Sequence, residues 1–164
     1  MIILGIDPGL ALMGYGVIEY ANMRARMINY GVLSTAAHSP TPQRLRTIYS
    51  GMNELLDIYK PDAVAFEELF FVKNITTGIA VAEARGAALV AAAQRTENLF
   101  EYTPMQIKQA ITGYGKADKP QMQNMVRLLL NLNEIPKPDD AADALAVAIT
   151  HAHCSHAAEM YRIK

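Results

Sequence analysis

The sequence predicts an α/β fold, a five-stranded mixed sheet with helices on both faces. Three observations carry this expectation. Short apolar runs rich in β-branched residues recur near 2–6, 14–20, 27–33, 62–66 and 99–102, the length and composition of strands. The first three follow one another through short connections, as an antiparallel meander does. The later two alternate with segments of helical period, as αβ units do.

Ile2 to Ile6 reads as a central strand buried on both faces, ending in Asp7 and broken by Pro8-Gly9. Gly14 to Tyr20 and Met27 to Leu33 follow as strands, with Ala21-Asn22-Met23 as their turn. Thr41-Pro42 reads as an N-cap and first helical residue. The helix it opens carries Leu45, Ile48, Tyr49, Met52, Leu55, Leu56 and Tyr59 on one face and stops at Pro61. Asp62 to Phe66 is a fourth strand, followed by Glu67-Glu68. Residues 69–74 read as a loop before a small-residue helix over about Thr76 to Gln94. Leu99 to Tyr102 is the fifth strand. Thr103-Pro104 opens a helix through Ile111, residues 112–117 form a Gly-containing loop, and Asp118 or Lys119 starts another helix. A last helix runs from about Asp139 to His156. No repeat or linker divides the chain, so residues 1–164 are expected to form a single domain, the last few residues trailing as a tail.

Composition narrows the function classes. Half of the 164 residues are apolar and 19% are charged, a globular balance. Cys154 is the only cysteine, which fits a reducing compartment and a cytoplasmic location. The N-terminus lacks the basic start of a signal peptide, and the apolar run Gly86 to Ala93 is short of the ~18 residues of a membrane span, so no membrane role is expected. Net charge is −1, but Lys108, Lys116, Lys119 and Arg127 cluster within residues 102–127 against Asp118 alone. This asymmetry suits a basic contact surface beside an acidic site.

If the last helix packs against the sheet, the chain's acids can converge at one spot. Asp7 and Glu67 end two strands, and Asp139, Asp140 and Asp143 open the last helix. Asp140 and Asp143, three apart, share a helical face. One or two acids at a helix start serve its dipole, worth ~0.3–1 kcal/mol each. Three beside two strand-end acids are more than capping requires. A converging carboxylate cluster is repulsive unless it surrounds hard cations, and two such ions ~3.5–4 Å apart form a clamp for phosphodiester hydrolysis. His151, His153 and His156 around Cys154 lack the second ligand pair of a zinc site and read as a helix end. Arg85 reads as an arginine with a packed stem and solvated tip.

At these residues the sequence resembles the RuvC family of Holliday junction resolvases, within the ribonuclease-H-like superfamily. The resemblance runs from Ile3 to about His153. It rests on Gly5-Ile6-Asp7-Pro8-Gly9 with Gly14-Tyr15-Gly16-Val17, Glu67 with Phe70 and Lys73-Asn74, and Ala84-Arg85-Gly86. The loop carrying Gly113, Gly115, Ala117 and Lys119, and the run Asp140 to Leu145, complete it. It implies a ribonuclease-H-like fold with sheet order 3-2-1-4-5. It further implies that Asp7, Glu67, Asp140 and Asp143 hold two Mg2+ ions, for which Mn2+ can substitute. Lys119 and Lys108 would then bind the scissile phosphate and Phe70 would stack on an unpaired base, beside Lys73 and Lys116 as further DNA contacts. The implied activity is paired symmetric nicking of four-way DNA junctions in recombination and repair, leaving 5′-phosphate and 3′-hydroxyl ends. The implied assembly is a homodimer working with a branch-migration complex of RuvA and RuvB type. Asp139 and Phe71 are extra to the pattern, so Asp139 competes with Asp140, and Phe71 with Phe70, for the assigned roles. A non-catalytic junction-binding module on the same fold is the alternative. An actin-like nucleotide-binding domain, which also opens on such a strand, needs more chain than 164 residues.

Overall fold

The computed structural model describes residues 1–69 and 75–164. Its strands are β1 (Ile2–Asp7), β2 (Leu12–Ala21), β3 (Arg24–Ser34), β4 (Ala63–Glu67) and β5 (Leu99–Tyr102). They form one sheet ordered β3-β2-β1-β4-β5. β1 and β2 pair antiparallel, as do β2 and β3, whereas β1–β4 and β4–β5 pair parallel. This is the expected mixed sheet. The helices are α1 (Thr41–Tyr59), α2 (Ile75–Ala93), α3 (Pro104–Thr112), α4 (Lys119–Leu129) and α5 (Asp139–Cys154), followed by a 3-10 turn over Ser155–Tyr161.

Strand alternation divides the core in two. Ile3, Ile18, Ala63, Ala65, Phe100 and Tyr102 face α3, α4 and α5. Leu4, Ile6, Met13, Val17, Val64 and Phe66 face α1 and α2. α5 is buried along nearly its whole length, because Ala141, Ala142, Ala144, Ala146 and Ala148 let it lie low on the sheet.

The sheet meets α5 with glycines. A methyl group on Gly5 would sit 2.2 Å from the Ala144 carbonyl oxygen, and one on Gly14 would sit 2.0 Å from that of Asp140. At Gly16 it would meet the Leu145 backbone at 2.7 Å. These glycines are needed for close approach of two backbones.

Several local expectations need correction. Thr41 is inside α1 and caps nothing: the Pro40 carbonyl already accepts the amides of Gln43 and Arg44, which makes Pro40 the N-cap. By contrast, Thr103 and Asp118 form capping boxes with Gln106 and Gln121. α5 ends at Cys154 rather than His156, and the tighter turn that follows packs Tyr161 against Tyr102, ring centroids 4.8 Å apart. The final residues do not trail free, since Arg162 bridges Phe100 and the Ile163 amide donates to the Leu99 carbonyl. α2 is 19 residues long and apolar enough by length and composition to cross a membrane, contrary to the short span read from Gly86 to Ala93. Arg85 in its middle reaches inward, 2.6 Å from Glu101 on β5 and over the Phe66 ring, and so is not solvent-tipped. Glu101 alternates to the α2 face of β5, which brings the pair together.

Filling either glycine against α5 should be costly. Gly5→Ala and Gly14→Ala are each expected to lower unfolding free energy in urea by at least ~1–3 kcal/mol, the ordinary penalty of overpacking. A loss below ~0.5 kcal/mol at both sites would show that α5 does not approach as closely as described.

Candidate active site

Two facts of strand geometry place the first acids. Asp7 and Glu67 end adjacent parallel strands in register, one step beyond the Ile6–Phe66 pair. Both alternate to the face of Gly5 and Ala65, the α5 face. The glycine contacts bring the first turns of α5 down onto that face, Asp140 directly over Gly14. Asp140 and Asp143 therefore lie beside Asp7, whose ionisation both oppose. Neither is a capping residue, because Pro138 is the N-cap of α5 and no side chain caps the helix.

The cluster is electrostatically strained as it stands. Burial, then Glu67, Asp143 and Asp140, push Asp7 up to about 8. Burial and Asp143 raise Glu67, and burial raises Asp143 against the pull of Lys119. Asp7 and Glu67 are hydrogen-bonded to each other. Both carboxyls are raised, so the pair holds a proton more tightly than an isolated carboxyl would. Oxygen donors held together against repulsion are the donor set of a hard divalent cation. The residues thus fit the metal that the sequence implies. Among the described residues, no three ligating side chains are already gathered around one point.

Cations line one side. A cleft of about 200 Å3 is bounded by Glu67 and Asp143, by Lys108 of α3 and by Lys119 of α4. Lys119 Nζ lies 3.3 Å from Asp143 and 3.2 Å from Asp139. Asp139 also accepts from Lys137 at 2.9 Å. Lys137, Lys119 and Gln123 together pull Asp139 down to about 2. Asp139 is thus committed to cations of the protein itself and tethers Lys119 at the cleft. Lys116 is exposed on the loop before α4 and does not line the cleft. Phe70, Phe71 and Lys73 lie outside the described residues.

The histidines are engaged separately among the described residues. His151 is buried, with Nδ1 2.8 Å from the Tyr102 hydroxyl and its ring 4.3 Å from that of Phe100. Burial pulls it down to about 4, so it is a neutral core group. His153 Nδ1 instead meets the Ala110 carbonyl at 3.3 Å.

Comparisons with known proteins bear on the chain's family and fold. The family model described as crossover junction endodeoxyribonuclease RuvC matches residues 3–151. The chain is 54% identical over 164 residues to crossover junction endodeoxyribonuclease RuvC of Alkaliphilus oremlandii, covering 100% of both chains. It is 56% identical over 155 residues to that of Desulforamulus reducens, covering 94% of this chain and 95% of the relative. Among solved structures, Thermus thermophilus RuvC in complex with a Holliday junction substrate superposes with a TM-score of 0.90 at 39% identity, covering 96% of each chain. The yeast mitochondrial Holliday junction resolvase Ydc2, at 15% identity, a TM-score of 0.71 and coverage of 98% of this chain and 82% of its own, shares the fold.

The raised Asp7 fixes the sign of a pH dependence. Folded protein keeps a proton that the unfolded chain releases above its ordinary value of 3.8. Nothing is lost below that value, and stability falls progressively as pH rises toward about 8. In EDTA the melting temperature is expected to fall across this window. Asp7→Asn should flatten the fall, and added divalent cation should recover stability at the alkaline end. Identical profiles for the two proteins would show that Asp7 is not the strained group.

Proposed function

The chain belongs to the RuvC family of crossover junction endodeoxyribonucleases, and from that premise we propose that the cluster of Asp7, Glu67, Asp140 and Asp143 is its nuclease centre. The protein is a Holliday junction resolvase of a family of divalent-metal nucleases. The observation that carries the site is the convergence of four acids at the ends of β1 and β4 and the start of α5, against a cleft lined by two lysines.

The four acids would hold the cations, two Mg2+ ions in our reading, with Mn2+ as a substitute. Bound cations of this kind activate the attacking water and stabilise the leaving oxygen. The rest of the work falls to the chain. The packed α5–sheet contact fixes the carboxylates before substrate arrives, which lowers the ordering cost of the reaction. Lys108 and Lys119 bind the non-bridging oxygens of the scissile phosphate and offset charge that develops there. Asp139 positions Lys119: when a cation occupies Asp143, Lys119 keeps a second carboxylate beside it and stays at the cleft mouth. Cleavage leaves 5′-phosphate and 3′-hydroxyl ends. Lys116 is a peripheral contact to the DNA backbone. Phe70 and Lys73 keep the stacking and backbone-binding roles that the family resemblance gives them.

Paired nicking needs two centres, and we read the active form as a homodimer. α2 supports this reading. It is predominantly apolar, yet Ile75, Ile79 and Val90 are 79%, 56% and 54% exposed. An uncovered apolar helix face of this kind marks an interface. We take residues 1–164 as one nuclease domain, cytoplasmic, meeting a branch-migration complex of RuvA and RuvB type at the junction.

Cleavage of a synthetic four-way junction with Mg2+ tests the centre. The intact protein should make symmetric nicks. Asp7→Asn should bind the junction and lose cleavage by at least ~100-fold, since losing a ligand charge should cost no less than losing an outer-shell partner. Lys119→Ala should lose ~100–1,000-fold in rate, as when a donor to a developing oxyanion is removed. Junction binding without nicking by the intact protein, in Mg2+ and in Mn2+ alike, would leave the binding-module alternative. Separately, Ile79→Glu is expected to convert a dimer to a monomer by light scattering. An unchanged dimer mass would move the interface off α2.

A further inference from the structure

The acids stand between two clefts. Glu67 and Asp143 face the cleft of Lys108 and Lys119, whereas Asp140 lines a second one, of about 530 Å3, on the side of α1 and α2. Its walls are the turn from Gly9 to Leu12, Arg44 of α1, and Thr76 and Ala80 of α2. Arg44 is the cation of this second cleft, and it is built in. Its Nε donates to Thr35 Oγ1 at 2.8 Å, and that hydroxyl donates to the Leu10 carbonyl at 2.6 Å. The Thr35 amide is itself bonded to the Ala11 carbonyl. Arg44 is thus tied through a neutral partner to the turn that forms the cleft wall.

The chemistry of that tether is specific. A guanidinium has five donors in a planar fork, and Nε uses one of them here. Among the described residues no carboxylate lies at ion-pair distance from Arg44, so its charge is not already spent within the chain. A half-buried arginine with its fork held and both terminal amino groups available suits a phosphate, which accepts two parallel hydrogen bonds. We propose that Arg44 and this cleft bind a phosphate of the cleaved strand adjacent to the scissile one, on the opposite side of the acids from Lys108 and Lys119. The strand is then gripped on both flanks of the bond to be broken. This inference rests on the junction-cleavage reading above.

The test uses Asp7→Asn protein, which should bind without cutting, and a four-way junction titrated over a salt series. Adding Arg44→Ala should weaken binding to junctions of different sequence alike. It should also reduce the slope of log affinity against log salt by about 0.9, one phosphate contact. Arg44→Lys should keep the slope. A single uncharged methylphosphonate, walked along the two nucleotides on each side of the scissile phosphate, supplies a readout independent of any folding defect. At one position it should weaken binding by the Asp7→Asn protein and have no further effect once Arg44→Ala is present. An unchanged salt slope in Arg44→Ala, or methylphosphonate losses that are the same with and without Arg44, would overturn the proposal. If the unmodified protein fails to nick the junction, the function reading fails instead, and the two failures are separate.

Discussion

Everything at the site depends on how closely α5 can approach the sheet. A helix normally stands off a sheet by the height of the side chains between them. Here the sheet contributes Gly5, Gly14 and Gly16, and the helix contributes alanines, so backbone nearly meets backbone. That contact brings carboxylates at the start of α5 to carboxylates at the ends of β1 and β4. It also buries most of the helix, which fixes the backbone positions from which Asp140 and Asp143 extend. Their mutual repulsion is held by packing, with dispersion and apolar burial along the helix as the opposing force.

The protein limits this repulsion in two ways. The Asp7–Glu67 pair shares a proton, which removes one charge from the most buried point. Lys119 spans Asp139 and Asp143 at the rim, where solvent screens the interaction and its contribution to stability is small. The value of the Lys119 contact is positional. It keeps a cation at the mouth of the cleft in a protein that otherwise concentrates negative charge there. Asp139, which from its place in the sequence competes with Asp140, differs from it by partner: its carboxylate is satisfied by Lys137 and Lys119.

Much of this was legible in the sequence because the signals are local. β5 runs over Leu99 to Tyr102 as its apolar run predicts, and Thr103 and Asp118 cap the helices they precede. The acids were visible as unexplained charges at strand and helix ends. What stayed hidden depends on pairing between distant segments. Arg44 looks like one more solvated residue of an amphipathic helix until Thr35, nine residues earlier, is seen to hold it. Arg85 and Glu101 meet only because α2 crosses the side of β5 that carries odd-numbered residues. Thr41 has the side chain of a cap, but the preceding Pro40 offers its carbonyl to the Gln43 and Arg44 amides, and sequence cannot say which residue turns first.

The shared register of β1 and β4 makes the site intolerant of changes in chain length. Asp7 and Glu67 reach the same face because each lies an even number of steps beyond an inward-facing neighbour, Gly5 and Ala65. A one-residue insertion or deletion between Gly5 and Asp7, or between Ala65 and Glu67, would send that acid to the face covered by α1 and α2. It would sit there among apolar side chains, out of reach of the other acids. Length variation in this fold is therefore confined to the connections: the turn at Asn22 and Met23, the stretch before α1, and the loop before α4. The strand segments that end in acid behave as a fixed measure, and two segments of unrelated sequence can keep a common chemistry by keeping the same count.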